Sequence, residues 1–219
     1  MINKIIFEGP VNNLSMGNVS VNLLKSLYNK KIDVLYLPIG NTDIGNFNLT
    51  EEFKQNLQNS ANRFYKEFKR NIPTIKNWHL SNGGHLFPSD KRYLLTYHEC
   101  NIATDEELNV VRNTNKTFFC GNYSPTIFKN CGVQNVDSFS LGFDADSFQK
   151  TDKVYFTDGR IQWLLTGKCE KRKKTLEVLT LWAKKYGKKQ GEFYRTGEQQ
   201  HFLNCAVLNS FYDAKIQEN

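Results

Sequence analysis

Residues 5–24 read Ile5-Ile6-Phe7-Glu8-Gly9-Pro10-Val11-Asn12-Asn13-Leu14-Ser15-Met16-Gly17-Asn18-Val19-Ser20-Val21-Asn22-Leu23-Leu24, and their reading decides the fold. Three apolar residues run up to Gly9-Pro10, the pattern of a buried strand stopped by a turn. A loop rich in Asn, Ser and Gly extends from Val11 to Gly17, after which Val19, Leu23, Leu24 and Leu27 recur at helical spacing. Asp33-Val34-Leu35-Tyr36-Leu37-Pro38 then reads as a second strand. Strand, loop, amphipathic helix and strand in this order make the crossover unit of a parallel sheet.

The same alternation continues outward. Thr50 before Glu51-Glu52 predicts a helix start, and Phe53, Leu57, Ala61, Phe64 and Phe68 carry one apolar face to about Arg70. Strands are expected over 74–78 and 93–97, separated by a loop around Asn82-Gly83-Gly84 and Pro88. Thr104 with Asp105-Glu106-Glu107 opens another helix, 117–120 is a short strand, and Ser124-Pro125 reads as a cap with proline at the first helical position. Gly132 should end that helix. Residues 136–141 are expected to be extended and 161–166 a strand. A helix follows over 172–186, closed by Gly187, then a strand over 202–207 and the start of a helix over 211–217. A domain boundary falls near 149–153, giving domains at 1–149 and 150–219. The class is α/β, a doubly wound parallel sheet.

Composition narrows the function. Hydrophobic residues make up 39% of the 219, and no run approaches the length that crosses a bilayer. Nothing at the N-terminus reads as a signal peptide, so a cytoplasmic location is expected. Cys100, Cys120, Cys131, Cys169 and Cys205 are scattered, which predicts free, mostly buried thiols; His98-Glu99-Cys100 holds potential ligands, but no spacing predicts a metal. Of the net charge of +7, most sits late in the chain, with nine basic and two acidic residues from Lys168 to Lys189. Such a stretch suits nucleotide phosphates, an anionic membrane surface, or a solvated helix face, and nucleic acid is the weakest of its readings.

Ligands of open parallel sheets sit beyond the carboxyl ends of the strands, which places the search in the loops after Phe7, Trp78, Tyr97, Cys120 and Thr166. The first of these loops has no Gly-x-Gly-x-x-Gly fingerprint and no P-loop lysine, which argues against ordinary dehydrogenases and NTPases. Gly17 and Asn18 still stand at a helix N-terminus, where backbone amides could meet a diphosphate. Trp78-His79 offers aromatic and polar surface at another strand end, while a packed tryptophan is the alternative for Trp78.

Several segments together resemble GT-B glycosyltransferases, in particular retaining enzymes of glycosyltransferase family 4. Residues 15–24 are similar to that family's first loop and helix. His98-Glu99 follows a strand as a similar pair does there, and residues 105–109 resemble the helix after it. The most specific stretch runs from Gly121-Asn122-Tyr123-Ser124-Pro125 through Cys131-Gly132-Val133 to Ser140-Leu141-Gly142-Phe143-Asp144-Ala145-Asp146-Ser147-Phe148, with Phe143 where the family usually has Val. Gly167-Lys168, with Lys173 six positions after the glycine, resembles the family's Gly-Arg and Lys pair that neutralises the diphosphate.

The resemblance implies two Rossmann-like domains, the second shortened, since the family's later Glu-containing donor segment has no counterpart here. It also implies a hexosyl transferase that takes a UDP- or GDP-hexose as donor and a glycan as acceptor, with retention and no obligatory cofactor or metal. Lys168, Arg172 and Lys173, with Gly17 and Asn18, would meet the diphosphate; His98 would sit near the reacting centre, Glu99 would orient it, and Trp78 and His79 would face the acceptor. Negative charge grows on the departing diphosphate, so cations and helix-end amides are the groups that transfer requires. The alternative is a catalytically incomplete protein of GT-B descent that binds a glycan or a completing polypeptide.

Overall fold

The computed structural model describes residues 4–81, 83–144, 150, 161–167, 171–186 and 201–207. The chain divides into two compact units, Met1–Gln149 and Lys150–Asn219.

The first unit is a six-stranded, all-parallel sheet with helices on its faces, a Rossmann-like arrangement. β1 (Lys4–Gly9), α1 (Ser15–Asn29) and β2 (Asp33–Pro38) form the opening unit, followed by α2 (Glu51–Glu67), β3 (Thr74–Asn77), β4 (Arg92–Thr96), α3 (Asp105–Arg112), β5 (Lys116–Phe119), α4 (Ser124–Asn130) and β6 (Val136–Ser138). In space the strands run β2-β1-β3-β4-β5-β6, so the order reverses between β1 and β3. That reversal opens a crevice at the carboxyl ends of β1 and β3.

Alternation along the strands sorts the core. Ile6 and Leu35 face one way with Phe64 of α2, while Phe7 and Tyr36 face the other with Val21 and Leu24 of α1. Phe53 and Leu57, from the first half of α2, join the α1 side, so α2 straddles the outer edge of β2 and shields that edge strand. Further along, Leu94, Phe119 and Val136 pack against Leu108 and Val111 of α3 and Phe128 of α4. Right-handed crossovers running in opposite directions put α1 on one face and α3 and α4 on the other.

The ends of the elements follow local chemistry. Thr50 accepts from the Phe53 N–H, and Thr104 and Glu107 form a reciprocal capping box. α4 ends in a Schellman motif, with Gly132 at φ +81, its N–H donating to Lys129 O and the Val133 N–H to Phe128 O. Ser124 is not the cap of α4: Tyr123 holds that position, and the Ser124 hydroxyl instead donates to the carbonyl of His98 at 3.1 Å. α2 stops at Glu67 rather than near Arg70, and the extended run over 136–141 is a strand only to Ser138.

In the second unit β7 (Ile161–Gly167) pairs in parallel with β8 (His201–Val207), joined through α5 (Thr175–Tyr186). A 3-10 turn at Lys171–Lys173 precedes α5, and Lys174 at φ 55 separates the two, so the helix begins three residues later than the expected start at 172. Gly187 and the helix expected over 211–217 lie outside the described residues.

Candidate functional site at the carboxyl edge

The crevice between β1 and β3 is built by close approach. A side chain at Gly9 would put its Cβ 2.9 Å from the Ser20 hydroxyl and 3.4 Å from the Cβ of Asn77. Glycine there lets Asn77, which is fully buried, donate its amide to Met16 O at 3.0 Å and to the Ser20 hydroxyl at 2.9 Å, tying β3 to the first turns of α1. The N–H of Asn18 donates to Leu14 O, the first bond of α1, so the Ser15, Met16 and Gly17 amides are the ones left over at this helix end.

Gly17 lies inside that first turn, not in the loop. A Cβ on it would stand 2.2 Å from Asn12 Oδ1 and 2.4 Å from Asn12 O, so this buried glycine is packed directly against the preceding loop. Its observed partner is therefore Asn12. Asn18 is exposed, and its carbonyl and side-chain oxygen accept from Asn22.

On the opposite face of the same edge, Glu8 and Lys76 meet with Oε1 to Nζ at 3.0 Å, their side chains 11% and 3% exposed. The Lys76 ammonium also donates to Gly83 O at 2.8 Å and Leu86 O at 2.6 Å and lies over the Phe87 ring. Lys76 thus pins the loop that follows β3. Burial pushes the Glu8 carboxyl above its ordinary range, and the neighbouring ammonium only partly offsets this.

His98 follows β4, with its side chain 2% exposed. The ring sits edge-on to Phe128 at 5.1 Å and to Phe119 at 6.4 Å, and its Nε2 is 3.7 Å from Oε2 of Glu107. The carboxylate of Glu107 is already committed to the Thr104 backbone N–H and hydroxyl. Glu99, one residue on, is exposed. Trp78 is half-buried and packs against the Leu94 and Phe119 cluster, its backbone N–H donates to Leu95 O, and His79 is exposed with its ring 5.3 Å from that of Trp78.

Among the described residues, five buried side-chain atoms at this edge besides the Tyr97 hydroxyl have no hydrogen-bond partner: Glu8 Oε2, Asn77 Oδ1, Thr96 Oγ1 and both ring nitrogens of His98. They crown β1, β3 and β4. Beside them the Tyr97 phenol lies against Cys120, and burial, with the thiol's proximity adding to it, pushes that phenol above its ordinary range. Native interiors rarely leave such groups unpaired, and where they cluster a ligand, ion or water is the usual partner.

The sequence reading missed Glu8, Lys76, Asn77 and Thr96. The signal was present in strand parity: Lys76 occupies an inward position of β3 beside Glu8 of β1, and two opposite charges at facing inward positions imply a buried pair. Of the three cysteines described, Cys100 and Cys131 are exposed and Cys120 is half-buried, against the expectation of mostly buried thiols. Lys168 lies outside the described residues, as does the side chain of Arg172. Lys173 is exposed in the 3-10 turn before α5.

Among the described residues, no three His, Cys, Asp or Glu side chains are grouped as metal ligands would be, and no helix is long and apolar enough to cross a membrane. Comparison with protein-family models, curated proteins and solved structures finds no match for the chain.

Proposed function

We propose that the protein is a GT-B type glycosyltransferase that transfers a hexose from a UDP- or GDP-sugar to a glycan acceptor. The observation that carries this reading is the strand-order reversal between β1 and β3, beside which Asn77 ties β3 to the N-terminal turns of α1. A diphosphate suits the amides at a helix N-terminus and nearby cations. The resemblance of residues 15–24, 98–99, 121–148 and 167–173 to family 4 enzymes supplies the reaction type. In this scheme Lys168, Arg172 and Lys173 take the charge of the departing diphosphate, Trp78 and His79 face the acceptor, and His98 lies below the reacting centre.

Incubation with a panel of UDP- and GDP-hexoses, followed by chromatography for released nucleoside diphosphate, tests the proposal. Release from at least one donor is expected, and none from any donor, with or without glycan acceptors, sinks it.

One observation favours a second reading. His98 is sealed between two phenylalanine rings, where an acid, base or nucleophile has no route to substrate. A protein of GT-B descent that binds a glycan or a completing polypeptide without transfer would keep that packing. Glycan binding measured alongside an empty transfer screen selects this reading.

A further inference from the structure

Parallel sheets normally have both faces covered by helices. In the first unit, that unit's own described residues cover the face that carries α1 over β1 and β2 only. Beyond Leu23 and Leu27 of α1, the side chains of Ile75, Tyr93, Leu95 and Phe118 line an open groove of about 430 Å³, bounded on its far side by Phe139. Ile75, Tyr93 and Phe118 are half-buried and Phe139 is 41% exposed. We propose that this groove docks a helix of a partner polypeptide, amphipathic and acidic on its polar face.

Width selects a helix. The groove spans β3, β4 and β5, and three strands at about 4.8 Å spacing make a bed of roughly 10–14 Å, the diameter of one α-helix with side chains. A face this narrow is far smaller than the roughly 800 Å² per partner that a stable dimer buries, which sets aside a second copy docked sheet to sheet. The lining is almost wholly carbon, with no convergent polar groups of the kind that orient a small ligand.

Charge selects the helix's polar face. Lys30 continues the Leu23 and Leu27 side of α1, Lys91 precedes Tyr93 by one alternation, and Lys116 precedes Phe118 in the same way. All three stand at the amino edge of this face. Asp137 answers Lys116 at 3.3 Å, which leaves the rim net basic. A helix lying antiparallel to the strands, as covering helices of parallel sheets do, brings the negative end of its dipole to this rim. Acidic side chains near that end complete the match. This inference does not depend on the transferase reading, because the groove lies on a sheet face and the proposed donor site lies at the carboxyl edge.

The test uses the full chain and two fluorescein-labelled 18-residue model helices with the same leucine stripe, one with a glutamate-rich and one with a lysine-rich polar face. Anisotropy should show the acidic helix binding at least tenfold more tightly than the basic one. Lys30→Glu with Lys91→Glu, both at exposed positions, should erase or invert that preference. Phe118→Asp and Tyr93→Asp, each checked for folding by circular dichroism, should abolish binding of both helices. Three results overturn the proposal: neither helix binds, which means the chain covers its own groove; both bind equally and ignore the charge reversal; or sedimentation finds a dimer that Phe118→Asp disperses, which makes a second copy the occupant.

Discussion

The ammonium of Lys76 and the carboxylate of Glu8 face each other at 3.0 Å from adjacent strands, and both side chains are largely buried. The two charges stabilise one another in a region of low dielectric, and the ammonium further binds the Gly83 and Leu86 carbonyls. Removing one member leaves the other buried and uncompensated, a loss of about 3–5 kcal/mol, whereas replacing both with apolar groups of similar size is far less harmful. Lys76→Met and Glu8→Leu should therefore each lower stability in urea unfolding by that order, and the double variant should be more stable than either.

The same pair gives a pH signature. Burial raises the folded-state value of Glu8 above its ordinary one, so its contribution is fully present below the ordinary carboxylate range and is lost as pH rises through the raised value. Lys76→Met takes away the group that holds it down. The variant should lose more stability relative to the parent at pH 8 than at pH 5, by thermal melts at fixed ionic strength; an equal loss at both would mean that Glu8 stays neutral throughout.

Glu67 behaves in the opposite sense. The Arg63 guanidinium at 2.6 Å and the Lys4 ammonium at 2.6 Å hold its carboxyl down at about 2. A depressed value contributes stability above the ordinary carboxylate range, and that contribution is lost as pH falls toward 2. Glu67→Gln should be less stable than the parent near pH 7, with the difference closing between about pH 4.5 and 2.

Gly17→Ala should destabilise the first unit by about 1–3 kcal/mol, because its Cβ would meet the backbone of Asn12, which cannot swing aside as a side chain can. Asn18→Ala, at an exposed position, should leave stability within about 0.5 kcal/mol of the parent. If Gly17 were a plain turn residue with open space, the two variants would melt together.

The opening strand, helix and strand were legible because each feature repeats locally: Ile5 to Phe7 as an apolar run, Leu23 and Leu27 at helical spacing, Asp33–Pro38 as drawn. The Schellman end at Gly132 was legible for the same reason. Side-chain competition was not. Ser124 looked like a cap from its place before Pro125, yet its hydroxyl bonds to His98 O, a residue 26 positions away. Gly17 looked like a phosphate-approach glycine, and only the fold brings Asn12 against it. The parallel sheet and its carboxyl edge were legible, while the identity of the buried polar groups at that edge depended on which strands became neighbours.

His98→Leu separates structure from chemistry at this edge. It removes two unpartnered nitrogens from between Phe119 and Phe128 while keeping most of the volume, so stability should be unchanged or higher. With the ring sealed from substrate, turnover should be unchanged, and a fall of about a hundredfold or more with donor affinity retained, the order that general acid–base groups contribute, would contradict that sealing. Unchanged turnover would remove His98 from the mechanism.

The central claim, that this chain holds a nucleotide sugar, is tested most directly by calorimetric titration of UDP- and GDP-hexoses into the parent protein and into the Lys168→Ala, Lys173→Ala double variant. Saturable binding by the parent and its loss in the variant is the predicted result. Binding of equal strength in both, or no binding by the parent, would contradict the claim.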